Sequence, residues 1–368
     1  FDIHKLFYPI NRSFLLQKQN KFAHPIFLSY LCARFYEMLL TERDILRPIE
    51  SEFRQFEKAY EAALAGNNPL LDEVLHYVAS KRGKQLRPKL VLLSAQLCHG
   101  ITDKTIQTAV ALELLHTASL IHDDVVDSSP IRRGTEAVHT RWSNKVAILV
   151  GDFLLSRVID IIANLRNLRI LNLVAELGTS LASGELIQLH AKTSMWIDEA
   201  QYYRIIDHKT ARLFATCTEA GGESSCATMH QASKLREFGK HLGICFQLKD
   251  DVLDYSDSEE IGKPTMNDIR DGKVTLPLLI ALQRATSDEA AHIRQLAEDL
   301  SNGAQHIDPY EAEQEIKTFV MRYDGVRYAF KQMQQHKEMA TAALSSFHDS
   351  TVKDSLIGLL DYTINRLH

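Results

Sequence analysis

From Met38 to the C-terminus, apolar residues recur at three- and four-residue spacing. Ile49, Phe53, Phe56, Tyr60 and Leu64 form one such stripe, and Leu235, Phe238, Leu242, Cys245 and Phe246 another. That period lines one face of an α-helix. Between Thr108 and Ile121 the chain is apolar nearly all the way round (Val110, Leu112, Leu114, Leu115, Leu120, Ile121), which predicts a helix at the centre of a bundle. Clean alternation of Val, Ile, Thr and aromatics between turn dipeptides is missing, so strands are not expected. None of the nine prolines falls between Pro130 and Pro264. A proline inside a helix costs about 3 kcal/mol, so this stretch is open to long helices. Breaks are expected at Gly66–Pro69, His99-Gly100, Ser128–Pro130, Gly221-Gly222, Gly262–Pro264 and Gly303. Without a solenoid period or a low-complexity linker, the pattern predicts one large all-α domain over residues 38–368.

Residues 1–37 differ from the rest. They hold nine of the 27 Phe and Tyr residues but only two acids, Asp2 and Glu37, and they begin with Phe1. They read as a targeting segment, as a helix packed on the body, or as a stretch upstream of a translation start at Met38. Composition favours the last. Over all 368 residues, 45% are hydrophobic and 24% charged, which excludes wholesale disorder and a disulfide-dense mini-scaffold. A net charge of −5 argues against a broadly basic nucleic-acid surface. Five cysteines without a CxxC pair predict reduced thiols in a cytoplasmic protein. No apolar run reaches the length of a membrane span.

Two acidic clusters carry the chemistry. Asp123, Asp124 and Asp127 form DDVVD, and Asp250, Asp251 and Asp254 form DDVLD. Each follows an apolar helical segment, so its first and last aspartates share a helix face, where like charges repel by about 0.2–0.5 kcal/mol. A hard divalent cation with oxygen ligands would offset that repulsion. One copy would read as a solvated acidic face; two copies point to metal. Mg²⁺ is held by few carboxylates plus substrate phosphates, so two facing clusters suggest a diphosphate bridged by several Mg²⁺ ions. Cations lie near both clusters: Lys84 and Arg87, Arg132 and Arg133, Lys209 beside Thr210, and Lys263 and Lys273. Each alone would pass for a surface charge.

These residues resemble the trans-isoprenyl diphosphate synthases, the all-helical prenyltransferases. The resemblance runs from about Pro48 to near the C-terminus through GKQLRP, LLHTASLIHDDVVDSSPIRRG, Gly151-Asp152, KTARLF, FQLKDDVLD and GKPTMNDIRDGKVTLP. It implies long helices around a deep central cavity, with the aspartate clusters on opposite walls. By this likeness Asp123 and Asp127 ligate Mg²⁺ on an allylic diphosphate from one wall and Asp250 from the other. Asp124, Asp251 and Asp254 complete the two clusters, with three Mg²⁺ ions per site when diphosphate is bound. Arg132, Lys209, Thr210, Gln247 and Lys263 are expected at the allylic diphosphate, and Lys273 among the substrate-binding residues. Lys84, Arg87, His116 and Arg133 are expected at isopentenyl diphosphate. His122 reads as a polar residue at a helix end. The usual glycine after GKP is replaced around Met266-Asn267, while Asp268 is retained.

The resemblance also implies that side chains just upstream of the first cluster lie under the growing product. Here they are Ala118 and Ser119, both small, which predicts a long-chain polyprenyl diphosphate of the kind found in quinone side chains. A geranylgeranyl-type product is the alternative. Expected partners are isopentenyl diphosphate, a farnesyl or geranyl diphosphate primer and a second copy of the chain, with membrane contact only through the product. A class I terpene cyclase would lack the second cluster and the Lys84/Arg87 pocket. A non-catalytic subunit of a heteromeric synthase would have lost cluster aspartates.

Overall fold

A computed structural model describes residues 41–81, 83–132, 134–194, 196–256 and 265–366. Arg133, Lys263, Pro264 and the segment 1–37 lie outside the described residues. The order is α1 (Glu42–Leu46), α2 (Glu50–Ala63), α3 (Pro69–Ser80), α4 (Leu86–Cys98), α5 (Asp103–Val126), a hairpin of β1 (Ile131–Arg132) and β2 (Thr135–Glu136), and α6 (Val138–Arg141). Then come α7 (Asn144–Asn164), α8 (Leu168–Ser194), α9 (Glu199–Ile206), a π-turn (Asp207–Ala211), α10 (Arg212–Ser224) and α11 (Met229–Leu253). The chain ends with α12 (Asn267–Arg270), α13 (Leu276–Arg284), α14 (Ser287–Ser301), α15 (Pro309–Arg322), α16 (Gly325–Ala343) and α17 (Thr351–Asn365).

The all-α expectation holds, and local chemistry explains it. Thr102, Asp198 and Thr228 each open a helix with a reciprocal capping box, which satisfies two of the orphan N–H groups. Pro69, Pro277 and Pro309 sit in first turns, where no intrahelical N–H bond is lost. The central helix is α5: every residue from Ala109 to His116 is buried. It packs against α4, α7 and α10, and α10 and α11 continue the core through Phe214 and Phe238.

Three expectations are corrected. Gly221-Gly222 is not a break but lies inside α10. A Cβ on Gly221 would stand 2.4 Å from the Val91 carbonyl, and one on Gly222 would stand 2.6 Å from Leu235 Cδ1. The glycines serve close helix packing. A short antiparallel hairpin pairs Ile131 with Glu136 and Arg132 with Thr135; two-residue strands are too short to leave an alternation in the sequence. Residues Leu168–Ala191 of α8 are, by length and composition, apolar enough to cross a membrane. Arg169 of α8 pairs with Glu223 of α10, and Ile170 and Leu177 are fully buried, so α8 packs as a bundle helix.

Candidate functional site

Both aspartate clusters lie at helix C-termini. Asp123 and Asp124 occupy the last turn of α5 and Asp127 caps it; Asp250 and Asp251 occupy the last turn of α11 and Asp254 caps it. Unpaired carbonyls give a helix C-terminus a partial negative charge, which adds to the repulsion among the carboxylates. The chain thus collects anionic charge twice, at the end of the helix dipole least able to tolerate it.

Several aspartates are engaged by protein groups. Arg132 donates to Asp124 Oδ1 through Nε at 2.7 Å and also through its terminal nitrogen. Asp251 is 1% exposed and accepts from the Tyr202 hydroxyl at 2.5 Å and from Gln247 Nε2 at 2.9 Å. Asp254 accepts the backbone N–H groups of Asn267 and Asp268. Arg366, just beyond α17, donates to Asp250 Oδ1 at 2.5 Å and lies over the Phe246 ring. Among the described residues no three carboxylate, imidazole or thiol side chains are drawn into one ready coordination sphere. Within the protein, Asp124, Asp251 and Asp254 are thus each held by side-chain or backbone donors.

Electrostatics ties the two clusters to one region. Burial pushes Asp123 up to about 6; Glu185 and Asp127 add to this, and Lys209 opposes it. Burial likewise raises Asp251, with Asp250 and Asp254 adding, against hydrogen bonds from Tyr202 and Gln247. Asp268 is buried beside Asp254 and Asp251 and stands well above the usual carboxylate range. Burial works against the charge on Lys273, but Asp271, Asp268 and Asp127 outweigh it and hold the ammonium above its ordinary value. Lys209 thus feels the first cluster, and Asp127 acts on a lysine that follows the second.

A cavity of about 160 Å³ lies here, lined by Gln188, Tyr202, Lys209, Thr210, Gln247, Asp251, Asp268 and Lys273. Four of the expected substrate-binding residues, Lys209, Thr210, Gln247 and Lys273, therefore share one space. Lys209 Nζ reaches Glu185 at 2.9 Å and Gln188 at 3.1 Å, while Thr210 donates to Gln247 Oε1 at 2.9 Å. A smaller cavity of about 70 Å³ lies against α5, lined by Tyr60, Glu113, Thr117, Asp124 and Arg132 among others. Arg132 is with Asp124 there, apart from the other four.

Neither cavity is lined by Lys84, Arg87 or His116. Lys84 lies over the Tyr362 ring, Arg87 over Phe214, and His116 is buried on α5. Ala118 is fully buried and Ser119 partly open. His122, read as a helix-end residue, pairs with the Ile148 carbonyl at 3.1 Å. Gly151 of the Gly-Asp motif makes room for it, since a Cβ there would overlap the imidazole. Glu185, Gln188, Tyr202 and Arg366 escaped the sequence reading.

The sequence profile of the polyprenyl synthetases matches residues 68–312. The chain belongs to the polyprenyl synthetase family. It is 33% identical to the octaprenyl diphosphate synthase of Haemophilus influenzae over 89% of this chain and 98% of that one. Among solved structures, it resembles a polyprenyl synthase from Caulobacter crescentus complexed with calcium and isoprenyl diphosphate. That match has a TM-score of 0.81 and 29% identity, covering 89% of this chain and 98% of the other. A geranylgeranyl pyrophosphate synthase from Bacteroides thetaiotaomicron is 37% identical with a TM-score of 0.75, covering 88% and 99%. This polyprenyl synthetase is a prenyltransferase, and the helical bundle is the fold of its relatives.

Proposed function

We propose that the chain condenses isopentenyl diphosphate with a farnesyl or geranyl diphosphate primer. The product is a long-chain all-trans polyprenyl diphosphate of the quinone side-chain type. The observation that carries the reading is the convergence of Lys209, Thr210, Gln247 and Lys273 on one cavity that Asp251 of the second cluster also lines, with Lys209 acting on Asp123 and Asp127 acting on Lys273. The donor set suits Mg²⁺: hard carboxylate oxygens, with Asp123 and Asp251 raised first by burial and then by neighbouring carboxylates, so that a cation beside them would favour their charged forms. Asp123, Asp127 and Asp250 would hold the ions, three with diphosphate, and Asp124, Asp251 and Asp254 would fix the loops around them. Mg²⁺ held by these residues would supply the positive charge that offsets the leaving diphosphate.

The chain's own residues do the rest. Lys209 and Lys273 supply positive charge to the allylic diphosphate, and Thr210 and Gln247 supply hydrogen bonds. Apolar walls exclude water from the allylic cation until the double bond of isopentenyl diphosphate attacks it, and the tertiary cation so formed loses a proton, by the resemblance to the departed diphosphate, to give the new double bond. The resemblance assigns isopentenyl diphosphate to Lys84, Arg87, His116 and Arg133, and adds Arg132 and Lys263 to the allylic site. Ser119 lies four residues before Asp123 and shares its face of α5. Ala118 shares the face of His122, which packs on α7. Both are small, which supports a long product. The likeness to a geranylgeranyl pyrophosphate synthase favours a shorter one as the second reading.

Incubation of the purified chain alone with labelled isopentenyl diphosphate, farnesyl diphosphate and Mg²⁺, followed by chromatography of the dephosphorylated products, tests both. Products well beyond twenty carbons are expected; a twenty-carbon end point would select the geranylgeranyl reading. No product would leave the non-catalytic subunit. A second copy is proposed to cover the exposed apolar residues Ile148, Leu149 and Ile159 of α7 and Leu168 and Leu186 of α8. Sedimentation should then give a dimer, and Leu149→Asp with Ile159→Asp a monomer.

A further inference from the structure

Lys209 and Thr210 are adjacent, yet they reach different walls. Lys209 bonds to Glu185 and Gln188 on α8, and Thr210 to Gln247 on α11. They lie in a π-turn, Asp207–Ala211, a rare widened turn that inserts one extra residue into a helix. Such a turn persists only where its surroundings hold it. The Asp207 pairs with Arg212 at 3.4 Å and Lys240 at 3.7 Å are long and partly solvated, so they contribute little.

The stronger hold is on the α8 side. Ser180 Oγ lies 3.0 Å from His208 Nδ1, and Ser180 is 4% exposed. One turn further along α8, a Cβ on Gly184 would stand 2.8 Å from His208 Cβ, 3.3 Å from the His208 carbonyl carbon and 3.4 Å from the Lys209 amide nitrogen. The backbone of His208-Lys209 therefore lies directly on α8. One further turn along, Gln188 receives the Lys209 ammonium. Ser180, Gly184 and Gln188 are spaced by four, on one helix face. The first bonds His208, the second admits its backbone and the third receives the next side chain.

We infer that Ser180, His208 and Gly184 are positioning residues that set the register of the π-turn and so aim Lys209 into the diphosphate cavity. The inference rests on the reading above that Lys209 binds the allylic diphosphate, and Lys209→Ala is its control. Steady-state kinetics with farnesyl diphosphate and isopentenyl diphosphate varied in turn, alongside thermal melts, provide the test. Ser180→Ala and His208→Leu should raise KM for farnesyl diphosphate about tenfold, the scale of one lost hydrogen bond. KM for isopentenyl diphosphate should stay within about twofold. His208→Asn should restore most of the affinity, because its amide nitrogen reaches the position of Nδ1. Gly184→Ala should act more strongly, because its methyl would run into the His208 Cβ, 2.8 Å away, and displace the residue that precedes Lys209. If Lys209→Ala raises the farnesyl diphosphate KM while Ser180→Ala and His208→Leu leave it unchanged, the positioning role is overturned and the cavity reading stands. If both KM values and the melting temperature shift together with no rescue by His208→Asn, the contact is structural only and the inference fails. An unchanged KM in Lys209→Ala would overturn the cavity reading and this inference together.

Discussion

A carboxylate that is half-buried among other carboxylates stores repulsion that only a cation or a proton can relieve. Asp123 is such a group, with burial, Glu185 and Asp127 raising it from 3.8 to about 6 against the pull of Lys209. Because the folded value lies above the unfolded one, folding takes up a proton here. The stability this provides is complete below about pH 4 and is lost as pH rises through about 6. Without added metal, the protein should therefore gain stability on acidification from about pH 7.5 to about pH 5.5. Asp123→Asn should flatten that gain, and differential scanning calorimetry of the two proteins would read the difference. An equal pH response in the mutant would refute the account. The same residue should matter more to turnover. Removing one stabiliser of transition-state charge costs about 10²–10³ in rate, so Asp123→Ala and Asp250→Ala should each lose at least that much at saturating Mg²⁺. Full activity in either would remove that aspartate from the metal site.

At the scale of elements, helices approach closely where glycine permits it. α10 meets α4 at Gly221, where an added methyl would run into the backbone of Val91, and backbone cannot move aside as a flexible side chain can. Gly221→Ala should cost about 1–3 kcal/mol in chemical denaturation. Gly303→Ala, at a turn with φ of +64° and open space around it, should cost only the smaller price of a left-handed backbone. Equal losses would show that packing at Gly221 is not limiting. This junction also marks where the sequence misleads. A Gly-Gly pair is a helix breaker by propensity, and only the partner helix reveals that it serves contact. The aspartate clusters and KTARLF were legible because charge repetition and motif spacing are local. Glu185, Gln188, Tyr202 and Arg366 were not, because a lone Glu, Gln, Tyr or Arg looks the same on a solvated face as against a distant cluster. The π-turn was hidden for a related reason: its one inserted residue leaves the apolar period almost unchanged.

On the scale of the whole molecule, the body closes on itself early in the chain. Thr41 caps α1 through a reciprocal box with Asp44, and Ile45 and Ile49 behind it are almost wholly buried. α1 packs against α17, so the first described helix is fastened to the last. The same α17 carries Tyr362 beneath Lys84, and Arg366 just beyond it holds Asp250. Loss of α1 should therefore be felt at the second aspartate cluster as well as in the core. A chain beginning at Met38 keeps the Thr41 cap and both isoleucines. It should melt close to the full-length chain and retain its prenyltransferase activity. A chain beginning at Glu50 loses both isoleucines, each worth about 1.5–3 kcal/mol of burial. It should melt markedly lower and lose activity further than its folded fraction accounts for, because α17 would no longer be braced behind Arg366. Thermal melts and turnover of the two shortened chains decide the matter. If the Met38 chain collapses, residues 1–37 help to hold the body together; if the Glu50 chain matches it, the clasp between α1 and α17 contributes nothing.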